Sequence, residues 1–262
     1  MKPLQFTIRP LNEVLHPQDL GSEASLVDRV YGLLRRRIID LSLPPELPLV
    51  EKDVADILQA SKTPVREALI KLSREGLVNV VPKSGSYVTP ISIDRYLQAC
   101  FMRSQLEVGC VRRLARVPIS HEGIARLYGV IAEQKKALAE GSQADFFLLD
   151  EKFHSTLFEL AGLSDVWHAL HTAQAELDRI RHLKRLFGVR RPQSVLQEHG
   201  AIVKAIEKRD ADLVEAALLE NIGGLDAEST KISEHPHLIQ TIDDLNALVA
   251  HRRKADSKRK VA

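Results

Sequence analysis

The 262-residue sequence has few cysteines and no long apolar run. Its two cysteines, Cys100 and Cys110, lie ten residues apart in a predicted helix, which favours reduced core thiols over a disulfide. No stretch approaches the ~18 apolar residues of a membrane span, and the first residues lack the apolar segment of a secretion signal. We therefore expect a cytoplasmic protein that makes no membrane contact.

The sequence also lacks a large excess of positive charge. Its 37 Lys and Arg residues are nearly balanced by 35 Asp and Glu residues, for a net charge of +2. Bulk charge therefore does not predict a nucleic-acid partner, and any attraction must come from local arrangement. The length and the hydrophobic content of 44% suffice for one or two domains with buried cores.

The first third of the chain predicts a winged helix-turn-helix. Residues 1–22 carry three prolines and no sustained period, so we expect a loose leader. Residues 23–92 show apolar residues at helical spacing, followed by two β-rich stretches around a turn that contains Gly85. The predicted elements are helices at about 22–39, 51–59 and 63–75 and a hairpin of strands at 77–81 and 86–89.

The residues after Pro90 predict a second domain, an all-α antiparallel helical bundle over 93–235. Apolar-periodic segments run at about 93–116, 120–140, 143–162, 164–187, 192–208 and 210–230. Residues 236–262 form a C-terminal extension, with one short helix expected at 238–250 and a basic tail after it. The fold class expected from these patterns is mainly α, with the winged helix-turn-helix (three helices plus a β-hairpin) preceding the bundle.

The third predicted helix opens with polar and cationic residues that suit DNA. Lys62, Thr63 and Arg66 lie away from its apolar face, at the end that enters the major groove in a helix-turn-helix. Lys and Arg donate to guanine O6 and N7, and Lys52 and Gly85 are placed for flanking contacts. The alternative is that these are ordinary solvated residues.

Acidic and imidazole side chains recur in the second domain at metal-ligand spacing. Asp150 and His154 are four residues apart on one helix face, and His199 lies on a later helix. Such a set can share a divalent metal, although most of the ten histidines in a chain like this are ordinary packed or surface residues. An HExxH motif and a serine nucleophile elbow are both missing near these residues, so an enzyme is not expected.

The segment Ala-Ser-Lys-Thr-Pro-Val-Arg-Glu-Ala-Leu at 60–69, followed by Glu-Gly-Leu-Val at 75–78, resembles the DNA-binding domain of the GntR family of regulators. Lys62 stands where arginine is commoner in that family, which keeps the charge but loses the bidentate fork. The resemblance implies DNA contacts at Lys52, Lys62, Thr63, Arg66 and Gly85.

Asp150 to His154, Ala161-Gly162 and Glu198-His199 are similar to the FCD effector domain of the FadR-like branch of that family. The resemblance implies a metal site of one aspartate and three histidines, in which the fourth position falls at Asn221. Zinc, nickel or manganese would be the divalent metal, and an amide oxygen is a weaker ligand than imidazole for zinc or nickel.

The same resemblance implies a small organic acid as effector. Arg103 occupies a position where an arginine often faces this ligand, and a guanidinium matches a carboxylate in bidentate fashion. The alternative is a surface ion pair of Arg103 with Glu107, one turn later. Arg179, Arg181 and His182 are further candidates for the pocket, and the sequence does not distinguish among them.

These features together predict a homodimeric transcriptional regulator, most simply a repressor, that binds a palindromic double-stranded DNA operator and senses a small carboxylate. Two alternatives come from other functional classes. One is a metal-dependent hydrolase-like enzyme fused to a winged helix, and the other is a winged-helix module that binds protein.

Overall fold

The computed structural model of the chain describes residues 6–22, 25–188 and 192–261. The chain divides into two compact units, each built from several segments. Unit one comprises Met1–Tyr96, Thr172–Phe187 and Ile232–Ala262, and unit two comprises Leu97–His171 and Gly188–Lys231. Among the described residues, no helix combines the length and the apolar character needed to cross a bilayer.

Three helices form the centre of unit one: α2 (Leu26–Ile39), α3 (Glu51–Ile57) and α4 (Lys62–Arg74). Helix α2 begins where the Ser25 side chain accepts a hydrogen bond from the backbone N–H of Asp28, a standard N-cap. Helix α4 ends before Gly76, whose φ of 71° is the left-handed conformation that glycine adopts without strain. Apolar residues at helical spacing face one shared core: Val30, Leu33, Leu34 and Ile38 from α2, and Val65, Ala68, Leu69 and Leu72 from α4.

The wing is a three-stranded antiparallel sheet in the order β1-β3-β2. The predicted hairpin is present as β2 (Val78–Val81) and β3 (Gly85–Val88), and the short β1 (Pro48–Leu49) pairs with the other edge of β3. The predicted winged helix-turn-helix is therefore confirmed. Strand β1 is too short to show a period of two, which is why the sequence pattern did not reveal it.

The leader differs from the loose segment expected from its prolines. It contains α1 (Leu11–Val14) and a 3-10 turn at Pro17–Asp19, and residues 1–5 lie outside the described part. Val14 and Leu15 are buried in the core of unit one. A four-residue helix between prolines offers only one turn of apolar spacing, which is too little to detect as a pattern.

Helix α9 (Ala175–Leu186) contacts the winged helix within unit one, although the sequence pattern alone placed residues 164–187 in the effector bundle. Its Arg179 is fully buried and donates to the backbone oxygens of Thr89 and Pro90 as well as to Glu176. Asp178 accepts a 2.7 Å hydrogen bond from Arg35 of α2. Within unit one, Arg179 thus satisfies the backbone oxygens that follow the wing.

The C-terminal helix α13 (Pro236–Val261) is longer than the predicted helix at 238–250. Its apolar residues Leu238, Ile242, Leu245 and Val249 are buried at helical spacing. The side chains of the predicted basic tail lie outside the described residues.

Unit two is helical throughout its described residues. It contains all of α6 (His121–Ala139), α7 (Gln143–Leu160), α10 (Pro192–Lys208) and α11 (Ala211–Ile222). It also contains most of α5 (Ile93–Arg116), α8 (Ser164–Ala173) and α12 (Leu225–Ser233). The predicted segment at 210–230 is split where Gly223, with a φ of 74°, ends α11. Apolar residues of α5, α6, α7, α10 and α11 form most of the core of unit two. The same five helices carry the buried polar side chains described next.

Candidate functional site

The opening turn of α4 is exposed to solvent. Lys62, Thr63 and Arg66 are exposed, whereas Pro64 and Val65 beside them are buried in the winged-helix core. The 3.6-residue period of the helix explains this division, because residues on the apolar face anchor the turn and leave the cationic face free. These are the positions that a recognition helix presents to base edges.

Arg66 is held by a carboxylate that the sequence analysis did not identify. Its Nε donates to Glu51 Oε1 at 2.9 Å and its Nη2 donates to Oε2 at 2.7 Å, a bidentate pair. The hydrogen bond from Arg66 lowers the pKa of Glu51 below its usual value. The side chain of Arg66 is 64% exposed and that of Glu51 is 30% exposed. Glu51 therefore orients the guanidinium and leaves it accessible to solvent.

Lys52 and Gly85, the other two predicted DNA contacts, are also exposed. Lys52 lies in the first turn of α3, directly after Glu51. Gly85 begins β3 with a φ of 123°, a conformation that residues with a Cβ rarely adopt. A glycine at this tip therefore allows the wing backbone to approach a neighbouring surface closely.

A second set of polar side chains is buried in unit two. Asp150 and His154 of α7 and His199 of α10 each place one potential ligand atom within 4.8 Å of the others. The α7 helix brings Asp150 and His154 onto one face because they are four residues apart. Asn221 of α11 is buried too, and its Nδ2 donates to Glu198 Oε2 at 2.8 Å.

The donor atoms of Asp150, His154 and His199 are close enough together to fit a divalent cation. Among the described residues, His154 Nε2 and Asn221 Oδ1 are buried without a hydrogen-bond partner, which is costly for polar atoms unless something binds them. The Nε2 atom of His199 lies 3.5 Å from Asp150 Oδ1. Imidazole nitrogen and carboxylate or amide oxygen are the donor types that zinc, nickel and manganese accept.

Arg103 is buried rather than exposed, and it does pair with Glu107 as the alternative interpretation proposed. Its Nε lies 2.5 Å from Glu107 Oε1, and Glu107 Oε2 lies 2.7 Å from His154 Nδ1. Burial alone would raise the pKa of Glu107, but the charge of the Arg103 guanidinium and the contact with His154 outweigh it and lower that pKa to about 2. Glu107 therefore carries a negative charge inside the helical domain.

Gln134 of α6 is a further polar residue that sequence reasoning missed. It is fully buried, and its Oε1 lies 2.9 Å from His199 Nδ1. The imidazole of His199 also stacks on Phe153 with ring centroids 3.9 Å apart. No sequence spacing could have identified Gln134, because it lies on a different helix from the histidine that it contacts.

Comparison with known proteins gives matches in both parts of the chain. Residues 26–88 match the family described as bacterial regulatory proteins, gntR family, and residues 98–224 match the FCD domain. The HTH-type transcriptional repressor RspR of Escherichia coli K12 is 34% identical over 194 residues, which cover 74% of this chain and 84% of that protein.

A more distant relative and a solved structure also match this chain. The gluconate operon transcriptional repressor of Bacillus licheniformis is 25% identical over 212 residues, covering 79% of this chain and 86% of that protein. The structure of E. coli McbR/YncC superposes with a TM-score of 0.66 at 18% sequence identity, over 84% of this chain and 99% of that one. At this identity the structural match concerns the fold alone.

RspR and the gluconate operon repressor are regulators of transcription. They confirm the prediction of a transcriptional regulator over the alternative of a hydrolase fused to a winged helix. The family resemblance expected from residues 60–69 and from the Asp150 to His154 segment is likewise confirmed. The chain belongs to the GntR family of transcriptional regulators and combines a winged helix-turn-helix with an FCD effector domain.

Proposed function

We propose that this regulator is a ligand-responsive repressor whose affinity for its operator is controlled by a small carboxylate in the effector domain. One observation supports this proposal above all. The same chain has an exposed cationic turn on α4 and a buried cluster of potential ligand atoms around His154. The name of the relative RspR, a transcriptional repressor, favours repression over activation. Such a protein works in the cytoplasm, where its DNA is.

In this proposal Arg66 and Lys62 donate to base edges in the major groove, while Thr63, Lys52 and the backbone at Gly85 bind flanking bases or phosphates. Because the net charge is only +2, these local contacts supply the electrostatic attraction. Affinity should therefore fall steeply with added salt.

A palindromic operator requires a homodimer. On α5, Phe101, Met102 and Leu106 are large apolar side chains that are 50%, 39% and 37% exposed, and they recur at helical spacing. Exposed apolar stripes of this kind mark protein interfaces, and Gly109 one turn later allows close approach of a second chain. We expect Leu106→Asp to shift the protein from dimer to monomer in light scattering after size exclusion.

In the effector domain, Asp150, His154, His199 and Asn221 would hold a divalent cation, the histidines through imidazole nitrogen and the other two residues through oxygen. When bound, the ion supplies an electropositive centre beside which an organic acid is stabilised. Arg103 adds a guanidinium for the acid's carboxylate. The gluconate operon named for one relative is consistent with a small organic acid as the signal.

Effector binding then shifts the balance between two states of the dimer. A ligand changes operator affinity only by as much as it distinguishes those states, typically about 1–3 kcal/mol. This corresponds to a decrease in operator affinity of roughly 5–150-fold.

Binding of the ion is tested by thermal unfolding with and without Zn²⁺. An ion that binds only the folded chain stabilises it by about 2.7 kcal/mol at 100 times its Kd, so the melting temperature should rise. His154→Ala should lose this rise, whereas His168→Ala, the same change at an exposed histidine of α8, should retain it. No response of the wild-type protein to Zn²⁺, Ni²⁺ or Mn²⁺ would remove the metal from the proposal.

DNA binding is tested with duplexes selected from a random library by the full-length protein. A shared palindromic sequence with half-sites one helical turn apart is the expected result. If no sequence is enriched at low salt, the alternative of a protein-binding winged helix is favoured instead.

A further inference from the structure

Each buried histidine of the effector domain has an oxygen atom beside its Nδ1. Glu107 Oε2 lies 2.7 Å from His154 Nδ1, and Gln134 Oε1 lies 2.9 Å from His199 Nδ1. Glu107 is on α5 and Gln134 on α6, whereas the potential ligands come from α7, α10 and α11. A close approach of an oxygen to Nδ1 therefore occurs twice, between α5 and α7 and between α6 and α10, and at His199 it is a hydrogen bond.

Both oxygen-bearing residues are almost completely buried, Glu107 with 1% exposure and Gln134 with none. A carboxylate that is ionised can only accept hydrogen bonds, and the amide oxygen of Gln134 is likewise an acceptor. An imidazole nitrogen that faces such an oxygen is favoured in its N–H form. For His154 the near oxygen therefore favours a proton on Nδ1. For His199 the 2.9 Å contact at Nδ1 is shorter than the 3.5 Å separation of Nε2 from Asp150 Oδ1, so the proton is favoured on Nδ1 there as well.

We propose that Glu107 and Gln134 are positioning residues that hold His154 and His199 in the Nδ1–H tautomer and direct Nε2 of each ring toward the cation. This inference rests on the proposed function, since it concerns the metal site proposed there. With the proton on Nδ1, Nε2 is the ring nitrogen that each histidine offers to the cation. His154 Nε2 is buried with no hydrogen-bond partner among the described residues, and His199 Nε2 faces Asp150 Oδ1 at 3.5 Å.

The two positioning residues are not equivalent. Glu107 places a carboxylate group beside His154, which makes that imidazole a more basic ligand, while Gln134 fixes the orientation of His199 through a neutral amide. Glu107 Oε1 also accepts from Arg103 Nε at 2.5 Å. One carboxylate thus fixes both a proposed ligand of the ion and the arginine proposed to contact the effector, so its loss should have the larger effect.

A purely structural role is the competing explanation, in which these contacts only satisfy buried polar groups. The two explanations differ in the state of the imidazole. If Glu107 and Gln134 only support the fold, replacing them changes stability but leaves the tautomer and the affinity for metal unchanged once the protein is folded. If they are positioning residues, both properties change in folded protein.

The experiment compares full-length wild-type protein with Glu107→Gln and Gln134→Met. Glu133→Gln is the matched control, because Glu133 precedes Gln134 on α6 and its exposed carboxylate pairs with Lys152 at 3.1 Å, on the surface. The Kd for Zn²⁺ is measured by competition with a chromophoric chelator. The histidine tautomers of the metal-free protein are read from long-range ¹H–¹⁵N correlations, and circular dichroism verifies folding.

We expect Zn²⁺ to bind about 10–100-fold more weakly to Glu107→Gln and about 10-fold more weakly to Gln134→Met, with no change in Glu133→Gln. In Glu107→Gln the new amide can donate to His154 Nδ1, which should shift that ring to the Nε2–H form. In Gln134→Met the His199 ring should lose its preference for Nδ1–H.

The results separate a failure of the proposed metal site from a failure of the positioning role. Wild-type protein that binds no Zn²⁺ overturns the proposed metal site. Wild-type protein that binds Zn²⁺, with variants of equal affinity and unchanged tautomers, overturns the positioning role alone. If Glu107→Gln does not fold because Arg103 is left unpaired, Gln134→Met decides the outcome, since it removes a neutral acceptor and leaves no charge unpaired.

Discussion

Two arginine–glutamate pairs of this protein have similar chemistry and opposite surroundings. Arg66 and Glu51 on the DNA-binding unit are 64% and 30% exposed, while Arg103 and Glu107 in the effector domain are 6% and 1% exposed. An exposed pair contributes only about 0–1 kcal/mol to stability. A buried pair whose partner is removed leaves an uncompensated charge, which costs about 3–5 kcal/mol.

This difference indicates two uses of one interaction. In the proposed role of Arg66, the exposed pair orients its guanidinium before DNA binds, and exchanging Glu51 for a guanine edge costs little free energy. Glu107 cannot release Arg103 cheaply, so the buried pair fixes the geometry of a site. A third pair, Arg179 with Glu176, is also buried, but there the guanidinium is occupied by the backbone oxygens of Thr89 and Pro90.

The largest expected effect comes from breaking the buried pair. Glu107→Ala should lower the free energy of unfolding by roughly 3–5 kcal/mol, because the charge of Arg103 loses its partner in a site with little access to water. Urea denaturation followed by circular dichroism measures this change. Glu159→Ala removes a carboxylate from an exposed pair with Arg126 and should cost less than about 1 kcal/mol. Equal losses in the two variants would show that burial does not distinguish the pairs.

An intermediate effect is expected at the third pair. Arg179→Lys keeps the charge but loses the planar fork, so at least one backbone oxygen at Thr89 or Pro90 loses its donor. The free energy of unfolding should fall by about 1–3 kcal/mol. Arg126→Lys is the exposed control and should change stability by less than about 0.5 kcal/mol. A variant at Arg179 that is as stable as this control would contradict the assigned structural role.

The smallest effect on stability is expected at the exposed pair. Glu51→Gln should change the free energy of unfolding by less than about 1 kcal/mol. It should also tighten binding to non-operator DNA, because it frees the guanidinium of Arg66 and removes a negative charge beside Lys52. Fluorescence anisotropy with a duplex of unrelated sequence measures this binding, and weaker binding by the variant would argue against Glu51 as the partner that DNA replaces.

The sequence was most informative where one helix or hairpin carries a complete pattern. The spacing of apolar residues predicted α4 and its exposed cationic turn, and the β-rich stretches predicted the wing. Asp150 and His154 could be paired because they are one helical turn apart. Their relation to His199 was expected from the family resemblance, and the structure brings the three side chains together.

Contacts between distant elements could not be predicted from spacing. Glu51 lies fifteen residues before Arg66, and Gln134 lies 65 residues before His199, so neither pair has a periodic signature. Leu15 belongs to the core of unit one although its segment looks like a loose leader. In each case the partner is chosen by tertiary packing, which overrides the local pattern.

We propose that the opening turn of α4 reads the operator through Arg66. The most direct test is an anisotropy titration of the selected operator duplex and of an unrelated duplex with wild-type protein and Arg66→Ala, at one salt concentration. We predict a loss of about 1–3 kcal/mol in operator binding, a much smaller change with the unrelated duplex, and normal folding. Operator affinity equal to that of the wild type would contradict the claim.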